Sequence, residues 1–270
     1  MPQLMMPWEI PSTTPDVPFG WSGPWSESVD GAPVDRDRTA GLAALTETVR
    51  CSGGTPLQVA NKRTTRVTTW SGWFPTRQHS VPLPEKVWLL RNGDDQWFGI
   101  DVDRAVYWEC SALGLSWPTW RADSVRRFDL GLPWNQRNGL AGGGIPIWAL
   151  IARNSELQAG SGGVNRALNL SVAGNYAKAC VPWLSKTDGT LPPSQHPLRS
   201  GERLRLTAEA YQRLTGEART VDDFAVLWAL RYFGVIVNDK TAAHSHAIRM
   251  PIGCLITVKL KITDFEVVAQ

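Results

Sequence analysis

The sequence predicts a mainly β protein: a jelly-roll-like β-sandwich over residues 39–270, with one packed helix (220–233) and an extended N-terminal arm over residues 1–38. Three observations predict it. Apolar and polar residues alternate at a period of two through many short runs, as half-buried strands require. Glycine and proline, 24 and 19 residues respectively, fall largely between those runs, where turns need them. Only one segment carries a full set of helix signals. Many short strands with Gly/Pro turns and one helix laid on an edge or face read as a sandwich or jelly roll.

The arm contains Pro2, Pro7, Pro11, Pro15, Pro18, Pro24 and Pro33, which exclude helix and central strand. Its aromatics, Trp8, Phe19, Trp21 and Trp25, are foreign to disordered tails. They are expected to anchor the arm on its own domain or on a neighbouring subunit, and the sandwich is expected to fold without it. Residues 39–50 predict a short helix, with Leu42, Leu45 and Val49 at helical spacing. Period two then takes over at Leu57–Val59 and Thr65–Trp70, and Pro75, Pro82 and Pro84 punctuate. Lys86–Leu90 leads through an Asn92-Gly93 turn to Gln96–Val102, and Asp103-Arg104 turns the chain into Ala105–Cys110. Residues 114–146 are rich in Gly, Pro and Trp. Further strands are expected at 145–151, 164–172, 176–181, 202–208, 234–238 and 254–268. The helix begins at Thr220, an N-cap completed by Asp223 as a T-x-x-D capping box. Phe224, Leu227, Trp228 and Arg231 or Tyr232 follow at helical spacing, and Gly234 stands where a left-handed residue ends the helix.

The 14 tryptophans bear most on function. An indole joins a large apolar area to one N–H, which suits cores, subunit contacts and sugar stacking alike. Trp117, Trp120 and Trp134 lie in the loop-rich middle and are the candidate glycan-binding residues. The formal net charge of +3 is spread along the chain and gives no basic stripe for nucleic acid. No window approaches the roughly 18 apolar residues of a membrane span. The first residues lack a basic segment followed by an apolar run, so the chain is expected to be made and folded in a cytoplasm. Cys51, Cys110, Cys180 and Cys254 are scattered, without metal-ligand spacing, and read as buried thiols. His244 and His246, with Asp239 or Asp264 as oxygen partners, have a spacing metals can use. No third ligand is fixed, so they read as an exposed loop pair, and His79 and His196 as surface residues. Gly142-Gly143-Gly144 has neither the Lys-Ser/Thr of a phosphate loop nor dinucleotide spacing, so no cofactor is expected. Asp94, Asp95, Asp101, Asp103 and Glu109 cluster at the central hairpins; turn chemistry accounts for Asp94, Asp95 and Asp103, and no catalytic residue is assigned.

A resemblance adds to this reading. Trp97–Asp103, Tyr107–Glu109, Gly144–Arg153, Glu156, Gly163–Leu168, Gly201–Leu206, Ala229–Gly234 with Val237 and Asp239, and Asp264–Val268 follow one another in an order similar to a largely uncharacterised family of secreted bacterial β-sandwich proteins. Related segments recur in minor tail proteins of long-tailed phages of actinobacteria. The similarity covers roughly residues 85–240 and the last few residues, and its motifs are structural. The secreted relatives commonly carry Asp-Trp-His-Ala where this chain has Gln96–Gly99, and His-Ala-Leu where it has Arg166–Leu168. Phe98 cannot transfer a proton, and Arg166 stays protonated. The resemblance therefore implies a scaffold kept for shape and adhesion. It implies a virion subunit of the phage tail, assembled in the host cytoplasm, homo-oligomeric on the particle and partnered by other virion subunits and host envelope polysaccharide. A glycan-cleaving enzyme of the same fold and a capsid decoration protein are the alternatives.

Overall fold

The computed structural model describes residues 3–4, 23–71, 74–90, 94–116, 119–131, 139–159, 163–173, 177–184, 186–241 and 245–270. In chain order the first strands are β1 (Gln3–Leu4), β2 (Thr48–Thr55), β3 (Gln58–Val59), β4 (Thr65–Ser71), β5 (Phe74–Val81), β6 (Lys86–Val87), β7 (Trp97–Asp101), β8 (Val106–Ser111) and β9 (Gly114–Ser116). Then come β10 (Thr119–Ala122), β11 (Ser124–Asp129), β12 (Leu168–Ala173), β13 (Arg203–Leu206), β14 (Val235–Thr241), β15 (His246–Pro251), β16 (Leu260–Lys261) and β17 (Phe265–Val267). The helices are α1 (Arg36–Gly41), α2 (Asn154–Gln158), α3 (Ala208–Glu217) and α4 (Val221–Tyr232).

The mainly β, sandwich-like architecture expected from the sequence is the one observed. A seven-stranded sheet has the order β16-β2-β15-β12-β14-β13-β17, and two four-stranded sheets have the orders β11-β8-β7-β3 and β5-β4-β10-β9. β1 and β6 form a short parallel pair. The large sheet is mixed: β12 runs parallel to β14, and β2 parallel to β15.

Strand alternation stacks these sheets in layers. On one face of the large sheet, Leu168, Leu170, Val172, Val235 and Val237 pack against Ala225, Leu227 and Leu230 of α4. From its other face, Ile236 meets Phe98, Ile100 and Tyr107 of β7 and β8 in a second core. The reverse face of β7 and β8 sends Trp97 and Cys110 into a third core with Val67 of β4 and Trp120 of β10. Each such aliphatic or Phe side chain contributes roughly 1.5–3 kcal/mol when removed from water.

Helix α4 starts and stops where its sequence signals place it. Thr220 Oγ1 accepts from Asp223 N–H at 3.0 Å, and Gly234 has φ +74°. The helix expected over 39–50 begins instead at Arg36, because Asp35 caps it by accepting from Arg38 N–H at 3.1 Å, and residues 48–50 already belong to β2. Helix α3 was not expected; Thr207 caps it, and the helix buries Ala210 and Leu214 in the first core. The strand expected at 145–151 is a buried 3₁₀ turn over Ile147–Leu150.

The second half of the N-terminal arm is part of this fold. Trp25 is 1% exposed in the second core. Arg203 of β13 collects the carbonyls of Pro24 (2.8 Å), Glu27 (2.5 Å) and Phe233 (2.7 Å), and Arg205 holds that of Val29. Burial brings the Arg203 guanidinium down to about 10. Further along, Asp35 N–H donates to Val267 O at 2.9 Å, and Val34 bridges to Val268. Of the two places expected for the arm's anchors, Trp25 takes the first: its indole fills its own domain and is not left to anchor a neighbour. Trp8, Phe19 and Trp21 lie outside the described residues.

Candidate functional site

A β-bulge creates a polar recess between the sheets. β12 and β14 pair Leu170 with Val237, and then Ser171 with Asp239, so Asn238 is an extra residue. Before the bulge, Val237 faces the helices. The inserted residue shifts the alternation, so Asp239 comes to lie beside Ser171 on the inner face of the sheet. Asn238 fixes the chain above it: its Oδ1 accepts from Ile145 N–H at 3.1 Å, its Nδ2 donates to Ile145 O at 3.0 Å, and its own carbonyl accepts from Gly143 N–H at 2.7 Å. A Cβ on Gly143 would stand 2.8 Å from Asn238 Oδ1, so this approach requires glycine.

The glycine segment, β14, β15 and the β7–β8 end of the facing sheet enclose a cleft of about 660 Å³. Asp94, Gln96, Lys186, Asp188, Asp239 and Arg249 line it, with Ser52, Ser111 and Ser171 between them. Arg249 of β15 donates to Asp239 Oδ2 at 2.7 Å and reaches Gln96 Oε1 at 3.5 Å, which ties the two sheets across the recess. Lys186 Nζ donates to the carbonyls of Gly139 and Ala141, each at 3.2 Å. The carboxylates of Asp188 and Asp239 converge on Gly142. Its N–H donates to Asp239 Oδ1 at 3.4 Å, and a Cβ there would lie 2.1 Å from Asp188 Cγ.

The electrostatics follow from this crowding. Burial, with Asp188 close by, holds the Asp239 carboxyl above its ordinary range, and Arg249 opposes the rise. Burial and Arg126 push the Lys186 ammonium down, against the pull of Asp188, Glu109 and Asp239. Acceptors, donors and hydroxyls thus alternate around one water-accessible volume. Its size falls within the roughly 300–1,000 Å³ of small-ligand sites.

The residues singled out in the sequence are distributed otherwise. Trp120 is 2% exposed in the third core and is not a sugar platform, because its register opposite Val67 points the indole inward. Trp117, Trp134 and His244 lie outside the described residues. Asp94 lines the cleft. Asp101 accepts from Arg104 in the β7–β8 turn, whereas Glu109 pairs opposite Phe98 and so lies on the other face of that ribbon. The two do not form a carboxylate pair. Glu109 is fully buried and accepts from Tyr107 Oη (2.8 Å), Leu140 N–H (2.7 Å) and Ile147 N–H (2.7 Å). Phe98 is buried in the second core, and Arg166 is ion-paired with Glu156. His196 and His246 are buried, contrary to their reading as surface or loop residues. His196 Nδ1 accepts from Leu198 N–H, and His246 Nδ1 from Ala173 N–H, both at 3.1 Å. None of the four cysteines forms a disulfide. Among the described residues no group of three or more His, Cys, Asp or Glu is placed to hold a metal ion.

Sequence reasoning missed Lys186, Asp188 and Arg249 as members of one site and met Asp239 as an oxygen partner for His244 and His246 and as a position of the resemblance. The signal was faint: the apolar run Val235–Val237 gives way to four polar residues, Asn238–Thr241, where a half-buried strand would alternate. Comparison with protein-family models, curated proteins and solved structures finds no match to this chain.

Proposed function

We propose that this chain is a virion subunit of a phage tail, a minor tail or tail-tip protein that holds host cell-envelope glycan in the cleft without changing covalent bonds. The observation that carries the binding part is the bulge at Asn238, which sets Asp239 beside Asp188, Lys186 and Arg249 in one recess. A sugar ring offers hydroxyls that both donate and accept, and this lining supplies fixed partners of both kinds. The tail assignment rests on the resemblance of roughly residues 85–240 to segments of minor tail proteins. Modest affinity per copy is multiplied on a particle that carries several copies.

Fractionation tests the assignment. Antibody against this chain is expected to label purified tails; label confined to capsids would make it a decoration protein, and absence from particles would end the virion reading. Calorimetric titration of the protein with envelope polysaccharide fragments tests the binding, with Asp239→Asn expected to weaken it at least tenfold.

A second reading, a glycan-cleaving enzyme, is favoured by the convergence of Asp188 and Asp239 on Gly142 and by the raised pKa of Asp239, which suits a proton donor. It requires new reducing ends when the protein is incubated with envelope polysaccharide, and their loss in Asp239→Asn. The proposal expects no reducing ends with either protein.

A further inference from the structure

We infer that the cleft selects a neutral, hydroxyl-rich sugar over an anionic polymer, and that Asp188 and Asp239 receive adjacent hydroxyls on either side of the Gly142 N–H. This rests on the glycan-binding reading and adds the ligand's charge class to it. Three carboxylates (Asp94, Asp188 and Asp239) and three cations (Lys186, Lys240 and Arg249) line the recess, so its formal charges balance. Two of the cations are also committed within the protein. Arg249 spans Asp239 and Gln96, and Lys186 donates to the carbonyls of Gly139 and Ala141. A phosphate or carboxylate on the ligand would have to break those bonds and sit among three like charges. A sugar hydroxyl needs neither: it donates to a carboxylate and accepts from a serine hydroxyl, and Ser52, Ser111 and Ser171 stand in the same wall. The buried carboxylate behind the wall, Glu109, meets its own three donors and asks nothing of the ligand.

Gly142 sets the spacing of the two carboxylates. Its φ lies outside the left-handed region, so alanine is allowed by the backbone, yet the added methyl would stand 2.1 Å from Asp188 Cγ. Gly142→Ala therefore displaces Asp188 without altering any charge.

The test uses the full chain and isothermal titration calorimetry with two kinds of probe of similar length: neutral tetrasaccharides, one of glucose and one of galactose, and a glycerol-phosphate oligomer. Each is titrated at low and moderate NaCl. A neutral tetrasaccharide is expected to bind at least tenfold more tightly than the phosphate oligomer, with affinity constant within twofold across the salt range. Gly142→Ala and Asp239→Asn are each expected to weaken it at least tenfold with the far-UV circular dichroism unchanged, while Asp103→Asn, in the β7–β8 turn, binds as the parent does. Tighter binding of the phosphate oligomer, or a steep salt dependence, overturns the charge selection and leaves the glycan-binding reading standing. Parent-like binding by Gly142→Ala overturns the two-carboxylate grip. Binding of neither kind of probe overturns both.

Discussion

Glu109 shows how one side chain can look catalytic in the sequence and be structural in the fold. A fully buried carboxylate ordinarily costs too much to keep unless its oxygens are satisfied. Burial pushes its pKa up, and the N–H groups of Leu140 and Ile147 and the Tyr107 hydroxyl pull it down. Those same donors join β8 to the chain that roofs the cleft. Glu109→Leu is nearly isosteric but leaves the buried Ile147 N–H and the half-buried Leu140 N–H without their acceptor, so it is expected to destabilise the protein by roughly 2–5 kcal/mol. A lowered urea midpoint with unchanged slope is the measurement; a midpoint within error of the parent would show that water replaces the carboxylate. The sequence names Glu109, Asp94 and Asp239, but not which of them meet. Facing is a matter of register, and the register of Glu109 against Phe98 puts it on the face opposite Asp101. The same holds for Trp120: composition counts indoles, and only the pairing with Val67 decides where this one points.

At the scale of an element, local signals were legible and long-range ones were not. The cap of α4 is written in four consecutive residues, Thr220 to Asp223, and it forms as written. The bulge that builds the cleft depends on the pairing of β12 with β14, strands some sixty residues apart in sequence, and the polar end of β14 is its one local trace. Helix α3 sits between these cases: Thr207 is a good cap, but a strand read through Ala208 hid it. Asp223 also does more than its motif suggests. Beyond the N–H of Thr220 (3.0 Å) and Arg219 (2.9 Å), it accepts from Thr257 N–H (2.7 Å) and Thr257 Oγ1 (2.6 Å), so the cap fastens the C-terminal segment to the helix. Burial alone would raise its pKa; the hydrogen bonds from Thr257, Arg219 and Thr220 overcome that and bring it to about 2. The folded pKa lies below the ordinary 3.8, so the ionised form is the bound one. Its stabilisation is fully present above about pH 3.8 and is lost as the pH falls towards 2. Asp223→Ala is expected to cost about 2–4 kcal/mol at neutral pH and to flatten acid unfolding across that window. Circular dichroism melts at several pH values check both, and a variant that keeps the parent's acid slope would assign that slope to other groups.

For the whole molecule, period-two alternation was enough to foresee a mainly β sandwich, but not its layering. That rests on parallel pairs such as β2 with β15, whose partners lie some two hundred residues apart. The arm was foreseen as separable; instead Trp25 fills the second core and Arg203 is held by carbonyls of the same segment. Deleting residues 1–38 would leave that guanidinium buried without its acceptors on Pro24, Trp25 and Glu27 and open the core, so the truncated chain is expected to be insoluble or to lose its cooperative melt. A soluble, cooperatively melting 39–270 would refute the coupling. The large sheet also carries a acid-sensitive element of its own. Burial, reinforced by His196, holds the His246 imidazole down at about 4, and burial with Arg38 lowers His196 as well. Both are therefore neutral in the fold at neutral pH, with Nδ1 accepting a backbone N–H in each case. Unfolding releases them to their ordinary 6.5, where they take up protons more readily. The unfolded chain thus binds more protons below that value, and stability falls as the pH drops from 6.5 towards 4. For His246 alone the loss is on the order of 3 kcal/mol by pH 4. Asn at position 246 keeps a short acceptor without the titration, so His246→Asn is expected to be less stable than the parent at pH 7 and less sensitive to acid. Urea midpoints at pH 7 and 4.5 decide the matter: an equal loss in both proteins would show that the imidazole does not drive it.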